Sequence, residues 1–578
     1  MLNPPYRRSR SIVVLLLVVC VAFARADDAR PSAAAIATAH PIATAAGREI
    51  LEAGGNAFDA AVAVAATLAV VEPFSSGLGG GGFFLLHRAR DKRDVMIDAR
   101  ERAPGAARAD MFLDKQGQPI PRASLDGPLA AAIPGVPAGL VHLAQQYGKL
   151  PLARSLAPAV RAARDGFPVT PRYRFMVDLR GEALRKWSAG SIFLDHGHTP
   201  AIGYRVRQPD LARTLESLGR KGARSFYEGE VARRLVEGVR AAGGNWTAAD
   251  LREYRVIERE PIRGSYRGAR ITSPPLPSSG GFVLLETLGV LERLSLDSLG
   301  RADRAHLIVE AMRRAYRDRA VYLGDPKFIG RDPAAALLEP QRLAALAAGV
   351  DASRATPSAS LRTDALAPAD RSTNTTHFSI IDTAGNRVAA TLSINTPFGS
   401  CVVPPGTGVV LNNEMDDFAS APDVPNVYGL TGDTANAIAP GKRPLSSMTP
   451  VFVETPDTLA IVGTPGGSRI ITMVLLATLD FVNEHGSAEQ MVRVPRFHHQ
   501  YLPDEIQYEP GAFTPEEIEL LQHKGHRLKE LTRKYGNMEV VVWNRKTGRV
   551  DAAADPRGEG EALVFMPKQS APARAAGR

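Results

Sequence analysis

The chain is 578 residues long, 44% apolar, and carries a formal charge of +9. Arg7, Arg8, Arg10 and Arg25 supply four of those charges within the first 26 residues, so the remainder stands at +5 (nine less four) and shows no basic stripe with interleaved aromatics, which argues against a dedicated nucleic-acid binder. Of two cysteines, Cys20 and Cys401, only the second lies outside this opening stretch, which leaves no internal disulfide to form and makes the apolar core the source of stability.

The opening three arginines are followed by an apolar run over 12–24 and by Ala24-Arg25-Ala26, the pattern of a secretory signal with cleavage after Ala26. The run falls short of the roughly 20 apolar residues of a spanning helix. The reading is an exported protein, periplasmic or secreted, with no membrane span in its mature form. Residues 33–71 are alanine-rich with helical apolar spacing, and GGNAFDAAVAVAATLAVV from Gly54 reads as a helix entered through a glycine turn. Gly77, Gly79 and Gly82 then spell G-x-G-x-x-G, with Asp98 downstream. That dinucleotide fingerprint needs a strand before it and a helix after it, whereas here a helix precedes and β-prone FFLL follows, so the glycines read as a close backbone approach leading into a strand.

Residues 130–164 read as a turn and then a helix, and 174–220 as irregular and charged. An amphipathic helix follows from Phe226 to a stop at Gly243, and Asp250 reads as the cap of a short helix. A proline-rich turn from Ser273 leads into a buried helix, and a second long helix starts near His306. The alanine-, proline- and serine-rich stretch 334–370 reads as a linker approaching Thr375. Beyond it the texture turns to short strands: a hairpin around Ala384-Gly385-Asn386, then strands in TGVVLNNEMDDF, TLAIVG and MEVVVW, with helices at Arg469–Asn483 and Pro515–His523. Strands flanked by helices on both sides predict a layered α/β protein with antiparallel pairing.

Chemistry is suggested first by Thr375-Thr376 at the head of HFSII. A threonine hydroxyl is a weak nucleophile that needs a base beside it, and a free α-amino group, with a pKa of roughly 7.7–8.0, is close enough to neutrality to serve. Scission between Asn374 and Thr375 would put both groups on one residue. By itself a Thr-Thr pair at a strand start is ordinarily structural. In the same way Glu414 and Asp417 singly read as solvated loop acids, Arg100 as a surface ion pair, and Ser446 and Ser447 as caps.

Taken together, DARERAP at Asp98, TTHFS at Thr375, NNEMDDF at Asn412, KRPLSSMTP at Lys442 and GTPGGSRI at Gly463, supported by GGNAFDAAVA, PPLPSSGG and PRFHHQ, match one family's motifs in order. It resembles the γ-glutamyltranspeptidases, or glutathione hydrolases, over essentially its whole length after the signal. The resemblance implies an αββα sandwich of the N-terminal nucleophile hydrolase type. It implies one precursor that cuts itself into a large subunit, 27–374, and a small subunit, 375–578. Thr375 matches the nucleophile, with its own α-amine as base. Gly466 and Gly467 match the oxyanion hole, and Ser393 stands where many members carry a second threonine supporting the nucleophile. Arg100, Ser446 and Ser447 match the residues that hold the α-carboxylate; Glu414, Asp417 and Asn395 match those facing the ammonium, Glu414 in place of a glutamine in some members. Residues 422–433 match a lid with Tyr428 as its gate.

The implied substrates are glutathione and other γ-glutamyl compounds, with water or an amino acid or dipeptide as acceptor, and no cofactor or metal. His498 and His499 are adjacent and so point apart; Cys401 is given no catalytic role. Two alternatives stand beside this reading. One is a glutaryl-cephalosporin acylase of the same superfamily, against which the two acids Glu414 and Asp417 argue, since they would repel a glutaryl carboxylate. The other is a γ-glutamyl-binding protein that is never processed.

Overall fold

The computed structural model describes residues 29–330, 333–361, 375–420 and 424–567. The signal segment and Asn374 lie outside them, as do residues 362–370 of the expected linker.

Two antiparallel sheets are stacked face to face. The first has seven strands among the described residues, in the order Glu561–Phe565, Ala34–Thr38, Thr376–Ile381, Arg387–Ser393, Gly81–Arg88, Arg93–Asp98 and Ile257–Arg259. The second has six: Val550–Ala554, Glu539–Asn544, Thr458–Gly463, Val451–Glu454, Ala269–Ser273 and Ile262–Tyr266. Each sheet combines strands from before and after position 375, so the two halves share one fold.

Three apolar layers hold it together. Between the sheets lie Ala35, Phe83, Leu85, Met96, Phe452, Ile461 and Val541. Helices pack on the outer face of the first sheet through Phe58, Val62, Phe84, Leu140 and Trp246, and on that of the second through Phe282, Met312, Val451, Val462 and Val474. This is the αββα sandwich expected. A strand buried on both faces cannot show clean alternation, and so Ala34–Thr38, read as part of a helical stretch, is in fact a fully buried strand. The helices that follow it, Pro41–Glu52 and Ala57–Val71, fit the expectation, the second started by an Asn56 and Asp59 capping box.

Three further expectations are corrected. Residues 174–220 hold helices Pro171–Lys186 and Pro209–Lys221, whose charged outer faces concealed buried stripes through Met176, Val177 and Leu184 and through Leu211, Leu215 and Leu218. TGVVLNNEMDDF forms no strand; it ends in the short 3-10 turn Glu414–Asp417. The described part of the linker carries the helices Ala334–Leu337 and Pro340–Ala348. Asp250 caps from the third helical position, reciprocally with Thr247. The hairpin Thr376–Ile381 with Arg387–Ser393 and the helices Arg469–Asn483 and Pro515–His523 stand where the sequence placed them.

Candidate active site

Thr375 stands immediately ahead of the strand Thr376–Ile381, 4% exposed. Its Oγ1 lies 3.3 Å from Oγ of Ser393, the last residue of the hairpin partner. The Ser393 hydroxyl also accepts the backbone N–H of Asn395 at 2.8 Å, and Asn395 takes a left-handed φ of 72° that asparagine tolerates well. Its Nδ2 donates to the Asn413 carbonyl at 2.9 Å, tying this turn to the acidic segment.

Across the cavity the strand Thr458–Gly463 runs out into Gly466 and Gly467, with φ of 154° and 56°. Neither conformation suits a side chain. Among the described residues their N–H groups donate to no protein acceptor, and they lie just before the helix Arg469–Asn483, whose positive end favours an anion there. A β-carbon on Gly467 would come within 2.5 Å of the Tyr428 ring.

Tyr428 covers the cavity. Its hydroxyl donates to the Asn395 carbonyl at 2.8 Å, and burial pushes its pKa well above the ordinary value. Val427 N–H to Asp416 at 2.9 Å and Gln500 Nε2 to the Tyr428 carbonyl at 3.1 Å hold the segment closed. Thr375, Ser393, Asn395, Tyr428, Ser446, Ser447 and Gly467 line the same cavity as Arg100, Glu414 and Asp417.

Arg100 is wholly buried, reached by Nη1 to Glu414 and by Nη2 to Asp417 at 2.5 Å, with Nε donating to the Pro444 carbonyl at 3.2 Å. Burial works against its charge, but Glu414, Asp417 and Glu101 outweigh that and raise its pKa. Glu414 is itself raised well above the carboxylate range by burial, against the pull of Arg100. The residues expected to form separate carboxylate and ammonium subsites are therefore joined in one network. Three of the five guanidinium N–H groups are hydrogen-bonded, and Nη1 also lies 3.6 Å from Glu101.

The Ser446 and Ser447 segment is pinned from behind. Ser446 N–H donates to the Pro277 carbonyl at 2.9 Å, and Ser279 N–H and Oγ both donate to the Ser446 carbonyl. Arg319, on the long helix Arg301–Tyr322, sends Nε to Ser279 Oγ at 2.9 Å and Nη2 to Ser447 Oγ at 3.2 Å, and burial draws its pKa down to about 10.

Sequence reasoning missed Arg319, Glu101 and His377. The signal for Arg319 was a cation on the buried face of a helix. Glu101 forms an ion pair with Arg100 at 3.6 Å, neither of its carboxylate oxygens accepts a hydrogen bond among the described residues, and burial lifts its pKa to about 7. His377 lies between the sheets, its Nδ1 2.8 Å from Thr391 Oγ1.

Cys401 is buried beside Arg180, with its thiol pushed up to about 11 by burial. His498 and His499 turn to different partners, Thr472 and Gln500 for the first and Asp504 for the second. His306, Glu310 and His526 come close enough to share an ion. Their atoms are engaged otherwise: the two imidazoles bond each other at 2.7 Å, and Glu310 accepts from Arg313, Arg314 and the Thr356 N–H.

The sequence profile of the gamma-glutamyltranspeptidase family matches residues 43–565. The chain belongs to the γ-glutamyltranspeptidase family. It is 39% identical over 577 residues to the glutathione hydrolase proenzyme of Escherichia coli strain K12, covering 96% of this chain and 98% of that one. It is 43% identical over 498 residues to the glutathione hydrolase proenzyme of Pseudomonas sp. strain A14, covering 85% and 86%. Among solved structures it resembles the cephalosporin acylase from Bacillus halodurans, with a TM-score of 0.80, 26% identity and coverage of 97% and 99%. Among the described residues, no helix is long and apolar enough to cross a membrane.

Proposed function

We propose that the chain is an exported γ-glutamyltransferase and glutathione hydrolase, made as a precursor that cuts itself between Asn374 and Thr375. The observation that carries this reading is one cavity lined by Thr375, by Gly467 of a glycine pair with unengaged N–H groups, and by a buried arginine flanked by two acids.

In the processing step the Thr375 hydroxyl attacks the Asn374 carbonyl carbon, and the acyl group moves from nitrogen to oxygen. The C–N bond breaks in that shift and frees the α-amine, and hydrolysis of the ester C–O bond then restores the hydroxyl and leaves Asn374 as a chain-terminal carboxylate. In turnover the amine takes the hydroxyl proton as Oγ1 attacks the γ-carbonyl carbon. The oxyanion is held by the N–H groups of Gly466 and Gly467, each such donor contributing roughly 3 kcal/mol. The amide C–N bond then breaks, and the proton passes to the departing amine. Water, or the amine of an amino acid or dipeptide, next attacks the γ-glutamyl ester, and its C–O bond breaks to restore Thr375.

Recognition is a matter of charge order. The α-carboxylate meets the Arg100 guanidinium with Ser446 and Ser447; the α-ammonium meets Glu414 and Asp417 with Asn395. A zwitterion so placed extends an alternating network without leaving a buried charge unpaired, which is the condition for burying charges at all.

The similarity to a cephalosporin acylase supports a second reading, removal of a glutaryl group. Glutaryl lacks the ammonium, so Glu414 and Asp417 would face it without a cation. Turnover of γ-glutamyl-p-nitroanilide against glutaryl-p-nitroanilide decides, and faster glutaryl release overturns the proposal. Denaturing electrophoresis tests processing. Two fragments with Thr375 at the head of the smaller one are expected, whereas a single stable band would mark a binding protein.

A further inference from the structure

Arg319 is a buried cation without an acid beside it. Among the described residues no carboxylate lies within ion-pair distance of its guanidinium, whose hydrogen bonds go to two hydroxyls, Nε to Ser279 Oγ at 2.9 Å and Nη2 to Ser447 Oγ at 3.2 Å. The neighbouring acids are committed elsewhere: Asp318, next to it on the helix, pairs with Arg317 and Arg342, and Asp417 pairs with Arg100. Burial draws the Arg319 pKa down and Arg100 adds to the fall, against the weaker pull of Tyr316 and Asp417. A charge held in a protein interior is ordinarily paired, so this position calls for an anion.

The direction in which that anion lies follows from the hydrogen bonds. Ser447 lines the cavity of Thr375 and Arg319 does not, so the contact runs inward through the cavity wall. A guanidinium can only donate. Ser447 Oγ therefore accepts from Arg319, and its own proton is left for another acceptor, which no described protein group supplies. Ser446 is arranged in the same way: its Oγ accepts the Met448 N–H at 3.1 Å and gives its proton to no described group. Through Ser279, whose hydroxyl donates to the Ser446 carbonyl at 2.7 Å, the same guanidinium also holds the backbone of the pair. Two hydroxyl protons are thus left to whatever occupies the cavity, one of them on a hydroxyl polarised by a buried cation.

We propose that Arg319 is a positioning residue for the α-carboxylate of the substrate: from behind the wall it holds Ser447 as a donor into the cavity and supplies a positive charge in addition to that of Arg100, so that the subsite takes a carboxylate and discriminates against a neutral group on the same carbon. The inference rests on the function proposed above and deepens it. A carboxylate accepts both serine protons and gives Arg319 a counter-charge one hydroxyl away. A carboxamide has a single accepting oxygen, carries N–H groups of its own and brings no charge.

The test compares γ-glutamyl-p-nitroanilide with its analogue bearing a carboxamide in place of the α-carboxylate. The proteins are the parent, Arg319→Gln, Arg319→Lys, Ser447→Ala, and Ser447→Ala combined with each Arg319 change. Arg319→Gln is expected to lower the acid-to-amide ratio of kcat/KM by about tenfold, chiefly through the KM of the acid, the scale of a hydrogen bond strengthened by charge. Arg319→Lys keeps the charge but cannot reach Ser279 and Ser447 together, and is expected to lower the ratio by about threefold. Because the effect passes through Ser447, both Arg319 changes should move the ratio much less when Ser447→Ala is already present. A loss shared equally by acid and amide makes Arg319 a support of the loop alone and overturns the inference; so do undiminished effects in the Ser447→Ala background, or a parent that uses acid and amide equally. Should Arg319→Gln fail to yield the two processed fragments, Arg319→Lys decides in the two backgrounds, and an unchanged ratio overturns the inference. A parent inactive on γ-glutamyl-p-nitroanilide itself would instead refute the proposed function.

Discussion

His377 fills the space that a side chain on Gly463 would need. Its Cε1 lies 2.2 Å from where a β-carbon on Gly463 would stand. His377 is on the strand that begins next to Thr375, and Gly463 ends the strand that runs into Gly466 and Gly467. One sheet carries the nucleophile and the other carries the oxyanion loop, so this contact sets the distance between them. Thr391 Oγ1 and Ser379 Oγ hold the ring at 2.8 and 3.2 Å, and burial pulls its pKa down to about 3, which keeps it neutral.

Gly463→Ala is therefore expected to push the sheets apart. Overpacking of this kind costs about 1–3 kcal/mol, and the displacement falls on the reacting groups. A lowered denaturant midpoint together with a lowered kcat at little-changed KM is the expected result. A variant with parental kcat would mean that the spacing is set elsewhere.

Gly467→Ala should cost catalysis through two effects, a side chain at a left-handed φ and a clash with the Tyr428 ring. Loss of one oxyanion donor lowers kcat by about 10²–10³-fold. If the clash contributes, the double variant Gly467→Ala with Tyr428→Ala recovers part of that loss despite opening the lid. Additive losses in the double-variant cycle would show that the ring contact is incidental.

Arg100→Lys keeps the charge but not the fork. One ammonium cannot reproduce donation to Glu414, Asp417 and the Pro444 carbonyl together. The expected outcome is a rise in KM for γ-glutamyl-p-nitroanilide of about tenfold or more, corresponding to at least ~1.4 kcal/mol of lost binding. Steady-state kinetics with the processed variant measure it, and an unchanged KM would remove Arg100 from the carboxylate site.

Glu72 gives a pH signature. Burial raises its pKa to about 7, against the charge of Arg172 and the Thr376 hydrogen bond. A folded-state pKa above the unfolded value means that the native state holds the proton more tightly. The stabilisation is complete below about 4.5 and is lost as pH rises through about 7. Glu72→Gln keeps the shape and accepts the Thr376 bond without titrating. Denaturant unfolding from pH 4.5 to 8 should show the variant gaining on the parent by roughly 2–4 kcal/mol across that window, the equivalent of the shift at 1.36 kcal/mol per unit. A constant difference between the two proteins would contradict the assignment.

How much of this was legible depended on what each residue answers to. The hairpin around Gly385 and the helices Arg469–Asn483 and Pro515–His523 follow from local turn chemistry and period, and they stand as read. Ala34–Thr38 was hidden because a strand with both faces buried carries no alternation. Pro171–Lys186 was hidden because nine of its sixteen positions stay out of the core, so its buried stripe through Tyr173, Met176, Val177, Arg180 and Leu184 is diluted by charge. Arg319 and His377 act through neighbours more than 100 and about 86 residues away along the chain, Ser447 and Gly463 respectively, a separation over which no local pattern speaks.

The sequence by itself determined the chemical inventory: a threonine placed to become a chain end, glycines that leave backbone N–H groups exposed, an arginine, and acids in a family order. It could do so because motif spacing is local and composition is additive. Only the tertiary structure decided that Arg100 is shared between Glu414 and Asp417, that Tyr428 closes over Gly467, and that His377 holds the two sheets at their working distance. Those are relations between residues brought together by the burial of three apolar layers, and their energies depend on the water that such burial excludes.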